Sequence, residues 1–244
     1  MLKLFADYHT HTTYSHGKGS IMDNVMAARK KGLREIAITD HGIRHFAFGV
    51  ESKNIVKMRQ EIDKINETSD GIKVLLGLEC NIISLEGDVD IDESMRKHLD
   101  ILLVGYHMMV LPKSVRDGFN IYAKNYLAKN SIISPEKVNE ANTRAMIKAI
   151  QKYKMDIITH PGTRIPIDID AVAAEAVKAG TALEINSKSS FMTAEHVRSA
   201  ARLGVKFVID SDAHHPKDVG NLANGLRIAE EAGLESSQVI NAEP

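Results

Sequence analysis

Seven short apolar runs recur along the chain, at 2–6, 35–39, 72–78, 100–106, 156–159, 182–186 and 206–210. Each is too short for a buried helix and too continuous for a half-exposed strand, so each predicts a β-strand covered on both faces. Between them lie stretches with apolar residues at helical spacing: 21–31, 52–68, about 135–154, 168–179, 193–203 and about 219–232. Ser134-Pro135 and Thr193 are helix openers, while Gly32, Gly180 and Gly204 are helix ends. Strands alternating with helices predict a parallel sheet joined by crossover helices, an α/β fold. The section 108–134 is the least patterned, with Lys113, Arg116, Lys124 and Lys129 among the aromatics Phe119, Tyr122 and Tyr126.

The residues just past these runs are polar and rich in imidazole. The first run leads into His9, His11 and His16, the second into Asp40-His41, the third into Glu79, the fourth into His107 and the fifth into His160. The sixth reaches Asn186-Ser187, and the seventh reaches Asp212 and His214. Parallel α/β folds keep their chemistry at the carboxyl ends of the strands. Contributions from nearly every strand end favour a closed barrel over an open sheet, because a barrel gathers all the ends around one point. Residues two apart on a strand share a face, so His9 and His11 can serve one cluster.

Composition narrows the setting. A chain of 244 residues suits one large domain, here residues 1–244. Its net charge of -1 gives the whole molecule no reason to seek nucleic acid or an anionic membrane, so an anionic ligand would be attracted locally. A lone cysteine, Cys80, and an opening with no charged-then-apolar leader point to the cytoplasm, with no membrane partner.

His9, His11, His16, His41, Glu79, His107, His160, Asp212 and His214 make nine candidate ligands, more than one zinc can use. Two or three ions are expected. Many neutral imidazoles with only two carboxylates suit zinc, manganese or iron better than calcium or magnesium. Three divalent ions with Glu79, Asp212 and one hydroxide would leave the site at roughly +3, a setting that favours a phosphate dianion. Such ions bring the pKa of bound water to about 7, which makes hydroxide available as a nucleophile.

The ordered set His9-x-His11 with His16, Thr39-Asp40-His41, Gly77-Leu78-Glu79, His107, Thr159-His160-Pro161-Gly162, Glu184-Ile185-Asn186 and Ser211-Asp212-Ala213-His214 resembles the polymerase-and-histidinol-phosphatase (PHP) family, most closely its stand-alone phosphatase branch. The resemblance spans residues 7–215. It implies a single-domain, distorted TIM-like (β/α)7 barrel that hydrolyses phosphoesters at a site of three divalent transition metal ions. By matching positions, His9, His11, Glu79 and Asp212 would hold the first ion and its hydroxide. Glu79, His107 and His160 would hold the second, with Glu79 bridging, and His16, His41 and His214 the third. Fifty-two residues separate His107 from His160, more than in the phosphatases it resembles, so 108–134 is read as an inserted flap or an ordinary helical extension.

Several residues stand beside this set. Arg44 and Arg164 are candidate phosphate contacts, each equally able to serve a surface salt bridge. Asp40 is expected to orient a ligand imidazole, Asp7 to be structural or supporting, and Cys80 to pack in the core. His45, His98, His196 and His215 match no ligand position, with His45 and His215 at the rim. The favoured activity is phosphomonoester hydrolysis of a small phosphorylated substrate. The competing readings are a phosphodiesterase or exonuclease, disfavoured by the missing basic tract, an amidohydrolase-type C–N hydrolase, disfavoured because Glu79 and His107 stand where a bridging lysine would, and a metal-binding regulatory module without turnover.

Overall fold

The computed structural model describes residues 2–68 and 71–244. Seven parallel strands run in chain order around one sheet: β1 Ala6–Asp7, β2 Glu35–Ile38, β3 Lys73–Asn81, β4 Ile101–Gly105, β5 Ile157–Ile158, β6 Ala182–Asn186 and β7 Phe207–Asp210. The helices between them are α1 Ile21–Lys30, α2 Ser52–Thr68, α3 Glu93–Arg96, α4 Val115–Gly118, α5 Lys124–Lys129, α6 Pro135–Lys152, α7 Ile169–Ala179, α8 Ala194–Arg202 and α9 Ala223–Ala232. Their starts follow local chemistry. Ser20 caps α1 in a capping box with Asp23, Ser134 caps α6 ahead of Pro135, and Asp168 caps α7. Gly180 closes α7 in the left-handed region at φ 72°, where a side chain would be strained.

The sheet curls into a nearly closed (β/α)7 barrel of the TIM-like type. Beyond β1 and β7, the His11 N–H donates to the Ala213 carbonyl at 2.8 Å and the Ala213 N–H to the His9 carbonyl at 3.2 Å, which joins the first and last strands at their carboxyl ends. At the other end the gap is filled by the chain's last residues. The Phe5 N–H donates to the Asn241 carbonyl, and the buried Asn241 side chain donates to the carbonyls of Ala6 and Ile209 while accepting from the Ile209 N–H. The stretch after 232, a polar tail by composition, is therefore a seal with Val239 and Ala242 in the core.

Alternation along the strands divides the core in two. Leu76, Leu78 and Cys80 of β3, Leu102 and Val104 of β4, and Phe207 and Ile209 of β7 face the helices in the larger cluster. Ala37, Ile101, Leu103, Ile157 and Val208 plug the barrel interior. Residues next along the same inward rows, Glu79, Glu184 and Asp210, are buried carboxylates. The plug therefore forms the apolar floor of a polar site.

Boundaries differ from the expected ones in instructive ways. β1 begins at Ala6 rather than Leu2, because residues 4 and 5 pair with 242 and 241 instead. β3 runs on to Asn81, so Glu79 lies inside a strand rather than after one. The last helix starts at Ala223, after a short 3-10 turn at Pro216–Asp218. The section 108–134 is largely helical: α4, a π turn at Phe119–Ala123, then α5. Ile121 and Ala128, seven apart, face inward, whereas Val115, Phe119, Tyr126 and Ile132 stand in solvent, and these exposed apolar residues blur the helical period. Among the described residues, no helix is long and apolar enough to cross a membrane.

Candidate metal centre

The carboxyl ends of the strands surround a cavity of about 330 Å³ that includes His16, His41, Glu79, His107, His160 and Asp212 in its walls. His9 and His11 lie fully buried beneath it. The Glu79 carboxylate stands at the centre. Its Oε1 is 3.1 Å from His9 Nε2, 2.9 Å from His107 Nε2 and 2.8 Å from His160 Nε2. Its Oε2 is 2.9 Å from His41 Nδ1 and 3.6 Å from His11 Nε2. Asp212 Oδ1 sits 3.5 Å from His11 Nε2 and 3.9 Å from His9 Nε2. An ion bound tetrahedrally at 2.0–2.1 Å separates its ligand atoms by about 3.4 Å, so these spacings fit metal coordination.

Lone pairs tell the same story. His9 Nε2, both nitrogens of His11, His41 Nδ1 and Glu79 Oε2 are buried without a hydrogen-bond partner among the described residues. Buried polar atoms are rarely left so, because each costs about 1–3 kcal/mol. His41 Nδ1 and Glu79 Oε2 lie 2.9 Å apart yet form no hydrogen bond with each other. Three donor sets have their atoms mutually within 4.8 Å: His9, His11 and Asp212; His41, Glu79 and His107; and His11, His41 and His214. The sets share His11 and His41, so the donors form one continuous lining. His16 enters by stacking, its ring 4.9 Å from His41 at 8° and 4.2 Å from His214 edge-on.

Electrostatics splits the imidazoles. Burial pushes His16 down to about 3 and His107 to about 4, and burial with His41 nearby holds His11 well below the usual range. These rings are neutral at pH 7, with lone pairs available. Burial also disfavours charge on His9, but Glu79, Glu184 and Asp212 outweigh it and raise this imidazole well above its usual value. Burial opposes ionisation of Glu79 as well, yet His107 and His9 keep it well below the ordinary carboxylate range.

Supporting residues fix these orientations. His9 Nδ1 donates to Glu184 Oε1 at 2.7 Å, which leaves Nε2 facing Glu79. The other Glu184 oxygen accepts the His160 N–H. Glu184 is the main functional residue that strand-end logic passed over in favour of Asn186; two positions earlier on the same inward face, it was signalled by the alternation itself. Lys188 was also missed. Its Nζ lies 2.8 Å from His214 Nδ1 and 3.6 Å from Asp212 Oδ1, at the cavity wall.

Asp40 does not orient an imidazole. Its carboxylate accepts the Thr12 N–H at 2.7 Å and the Thr12 and Ser15 hydroxyls, and so shapes the turn carrying His16. Asp7 accepts from the Ser211 and Gly220 N–H groups and ties β1 to the loops after β7. Cys80 packs in the core. The two arginines part company. Arg44 donates from Nε and Nη2 to the Leu111 and Pro112 carbonyls and lies outside the cavity lining. Arg164 lines the cavity and makes no hydrogen bond or ion pair with another described residue. His45 stacks on His41 at 4.9 Å and reaches the cavity, whereas His98 lies in a different depression. His215 caps the short 3-10 turn at Pro216–Asp218, and the His196 side chain accepts the Thr193 N–H in the capping box that opens α8.

A β/α barrel whose strand ends converge on imidazoles and carboxylates has the architecture of a metal-binding barrel protein. Comparison with known proteins sharpens this: the PHP domain model matches residues 7–188, and the chain belongs to the PHP domain family. It is 32% identical over 259 residues to a probable phosphatase of Thermoanaerobacter sp. strain X514, covering 99% of this chain and 92% of that one. It is 34% identical over 254 residues to a probable phosphatase of Shewanella sp. strain W3-18-1, covering 98% and 88%. Among solved structures it resembles the histidinol phosphate phosphatase of Lactococcus lactis subsp. lactis Il1403, complexed with zinc, L-histidinol and phosphate, with a TM-score of 0.61, 17% identity and 94% of each chain covered.

Proposed function

We propose that the protein is a metal-dependent phosphoesterase that hydrolyses phosphomonoesters at a trinuclear centre. The observation that carries this reading is the convergence, at one small cavity, of buried nitrogen and oxygen lone pairs that have no partner among the described residues. The names of the relatives and of the zinc- and phosphate-bound structural neighbour agree with it. His9, His11, Glu79 and Asp212 would hold the first ion; Glu79, His107 and His160 the second; His16, His41 and His214 the third. Zinc, manganese or iron suits this donor set. Bound ions supply an acidified water and a positive field for the phosphate oxygens.

The chain's own residues do the rest. Glu184 fixes the His9 tautomer so that Nε2, rather than Nδ1, is presented. Arg164 and Lys188 bring positive charge to the cavity wall, where a guanidinium or ammonium can bind phosphate oxygens and orient the ester. Phe48, Met108 and Met109 line the cavity and are partly exposed, so they would cover part of a bound ester and reduce its contact with water.

The test is elemental analysis of the purified protein together with a panel of small phosphomonoesters. Three ions per chain and release of inorganic phosphate are expected, with turnover falling at least a hundredfold in Asp212→Ala. His16→Ala should lose chiefly the third ion and His9→Ala the first. Metal-replete protein that releases no phosphate from any ester would overturn the activity, and both variants losing the same ion would overturn the assignment.

A further inference from the structure

Beside the metal cavity lies a second one, of about 490 Å³, between the 108–134 insertion and the loop after β5. Its walls include Ile121, Tyr122, Tyr126, Ala128, Ile165 and Pro166, so most of its surface is aliphatic or aromatic. Met108, Thr163 and Arg164 line both cavities, so the two lie side by side and share one wall. No feature of the metal chemistry requires this second space.

Its walls are firmly held. The Tyr122 hydroxyl donates to the Val110 carbonyl at 2.9 Å, and the side chains of Asn125 and Asn142 exchange hydrogen bonds, pinning the insertion to α6. Asn142 also donates to the Pro166 carbonyl at 3.0 Å, so one buried side chain fixes both walls. Ile121 and Ala128 point inward and are buried, while the Tyr126 ring on the rim is 68% exposed. A preformed apolar space with a few polar groups at one end is the usual form of a small-molecule site.

Resting on the phosphoesterase reading, we infer that this second cavity is the leaving-group subsite, and that the substrates are phosphomonoesters whose alcohol carries an aromatic or similarly bulky apolar group. The phosphate lies at the metal centre, Arg164 sits at the junction, and the apolar group enters between the tyrosines and Ile165. A ring of about 100 Å² buried there at about 25 cal/mol per Å² corresponds to about a seventyfold gain in affinity before the losses of ordering.

The experiment compares 3-phenylpropyl phosphate with propyl phosphate, two esters of similar alkoxide leaving ability that differ in the distal ring. Metal-loaded protein should show kcat/KM at least tenfold higher for the phenyl ester. The non-hydrolysable pair, 3-phenylpropylphosphonate and propylphosphonate, should show the same preference in Kd by calorimetry. Tyr126→Ala and Ala128→Leu, one opening a wall and one filling the space, should each lower the phosphonate preference at least threefold. Equal affinity for the two phosphonates would overturn the subsite, as would a preference untouched by both substitutions. A tenfold phosphonate preference with no phosphate released from either ester would keep the subsite and overturn the phosphomonoesterase reading.

Discussion

Glu184 shows how much a single carboxylate decides. Both its oxygens act as acceptors, one for His9 Nδ1 and one for the His160 N–H. Glutamine keeps the shape but offers one acceptor and one donor group, so one of these two donors faces an N–H. Glu184→Gln should therefore weaken the tightest-bound ion about 10–100-fold, the usual effect of removing a partner that orients a ligand, with the circular dichroism spectrum unchanged. Competition with a chromophoric chelator reads this, and unaltered affinity would show that His9 needs no such partner. Asp210 makes the opposite case. Burial, with Asp7 and Glu184 nearby, pushes its carboxyl well above the ordinary range, and its Oδ2 has no partner among the described residues. A carboxyl with a raised folded-state pKa supports the fold below its unfolded value near 4 and loses that contribution as pH rises toward the folded value. Asp210→Asn, which can still accept the Tyr8 N–H, should thus gain Tm relative to the parent as pH increases from 4.5 to 7.5 in chelator-treated protein. A difference that stays flat across that range would contradict the raised value.

At the level of elements, strand ends matter as places where ordinary geometry is suspended. His160 and Asp212 adopt φ of 29° and 51°, a region costly for residues with a Cβ, and both lie where a strand meets its loop at the centre. The end of β4 shows the complementary device. A Cβ on Gly105 would overlap the Thr159 hydroxyl and lie 3.3 Å from His160 Cε1 and 3.4 Å from His107 Cε1. Gly105→Ala should displace these two imidazoles and lower occupancy of the second ion about tenfold, measured by elemental analysis after dialysis, while the fold persists; full occupancy would show that the rings can shift freely. Much of this level was legible beforehand. Apolar runs located all seven strands, and polar residues at or just past the ends of several of them, His16, His41, Glu79, His107, His160, Asp212 and His214, line the cavity. Hydrophobic period did not resolve residues 108–134, because the helices there are short and carry apolar residues on both faces. Arg44 and Arg164 looked equivalent in sequence, since which arginine finds backbone carbonyls depends on where residues 111 and 112 pass, a tertiary fact with no local trace.

For the whole molecule, the decisive feature is how seven strands make a ring. Just beyond β1 and β7 the chain pairs around Thr10 and Ala213, and the lower part of the gap is bridged by Asn241. Its amide satisfies three backbone groups that would otherwise be buried and unpaired. Asn241→Leu should therefore destabilise the protein on the order of 3 kcal/mol, since each unsatisfied group costs about 1–3 kcal/mol. Urea unfolding measures this, and a loss below about 0.5 kcal/mol would mean that the gap closes by other contacts. This seal was hidden in the sequence because a lone asparagine in a polar segment carries no periodic signal; its importance arises from joining β1, 235 residues away at Ala6, to β7, 32 residues away at Ile209.

The same closure places Lys3 beside Glu243 at 2.8 Å and pairs Leu4 with Ala242, so residues near the two ends of the barrel sequence are neighbours in space. A ring of this kind has no intrinsic starting point. A circularly permuted chain, linked across residues 3 and 243 and opened at the exposed turn around Gly204, would visit the same donors in a new order and assemble the same centre. That His9 and His11 come first is a property of the numbering; the chemistry depends only on the circle.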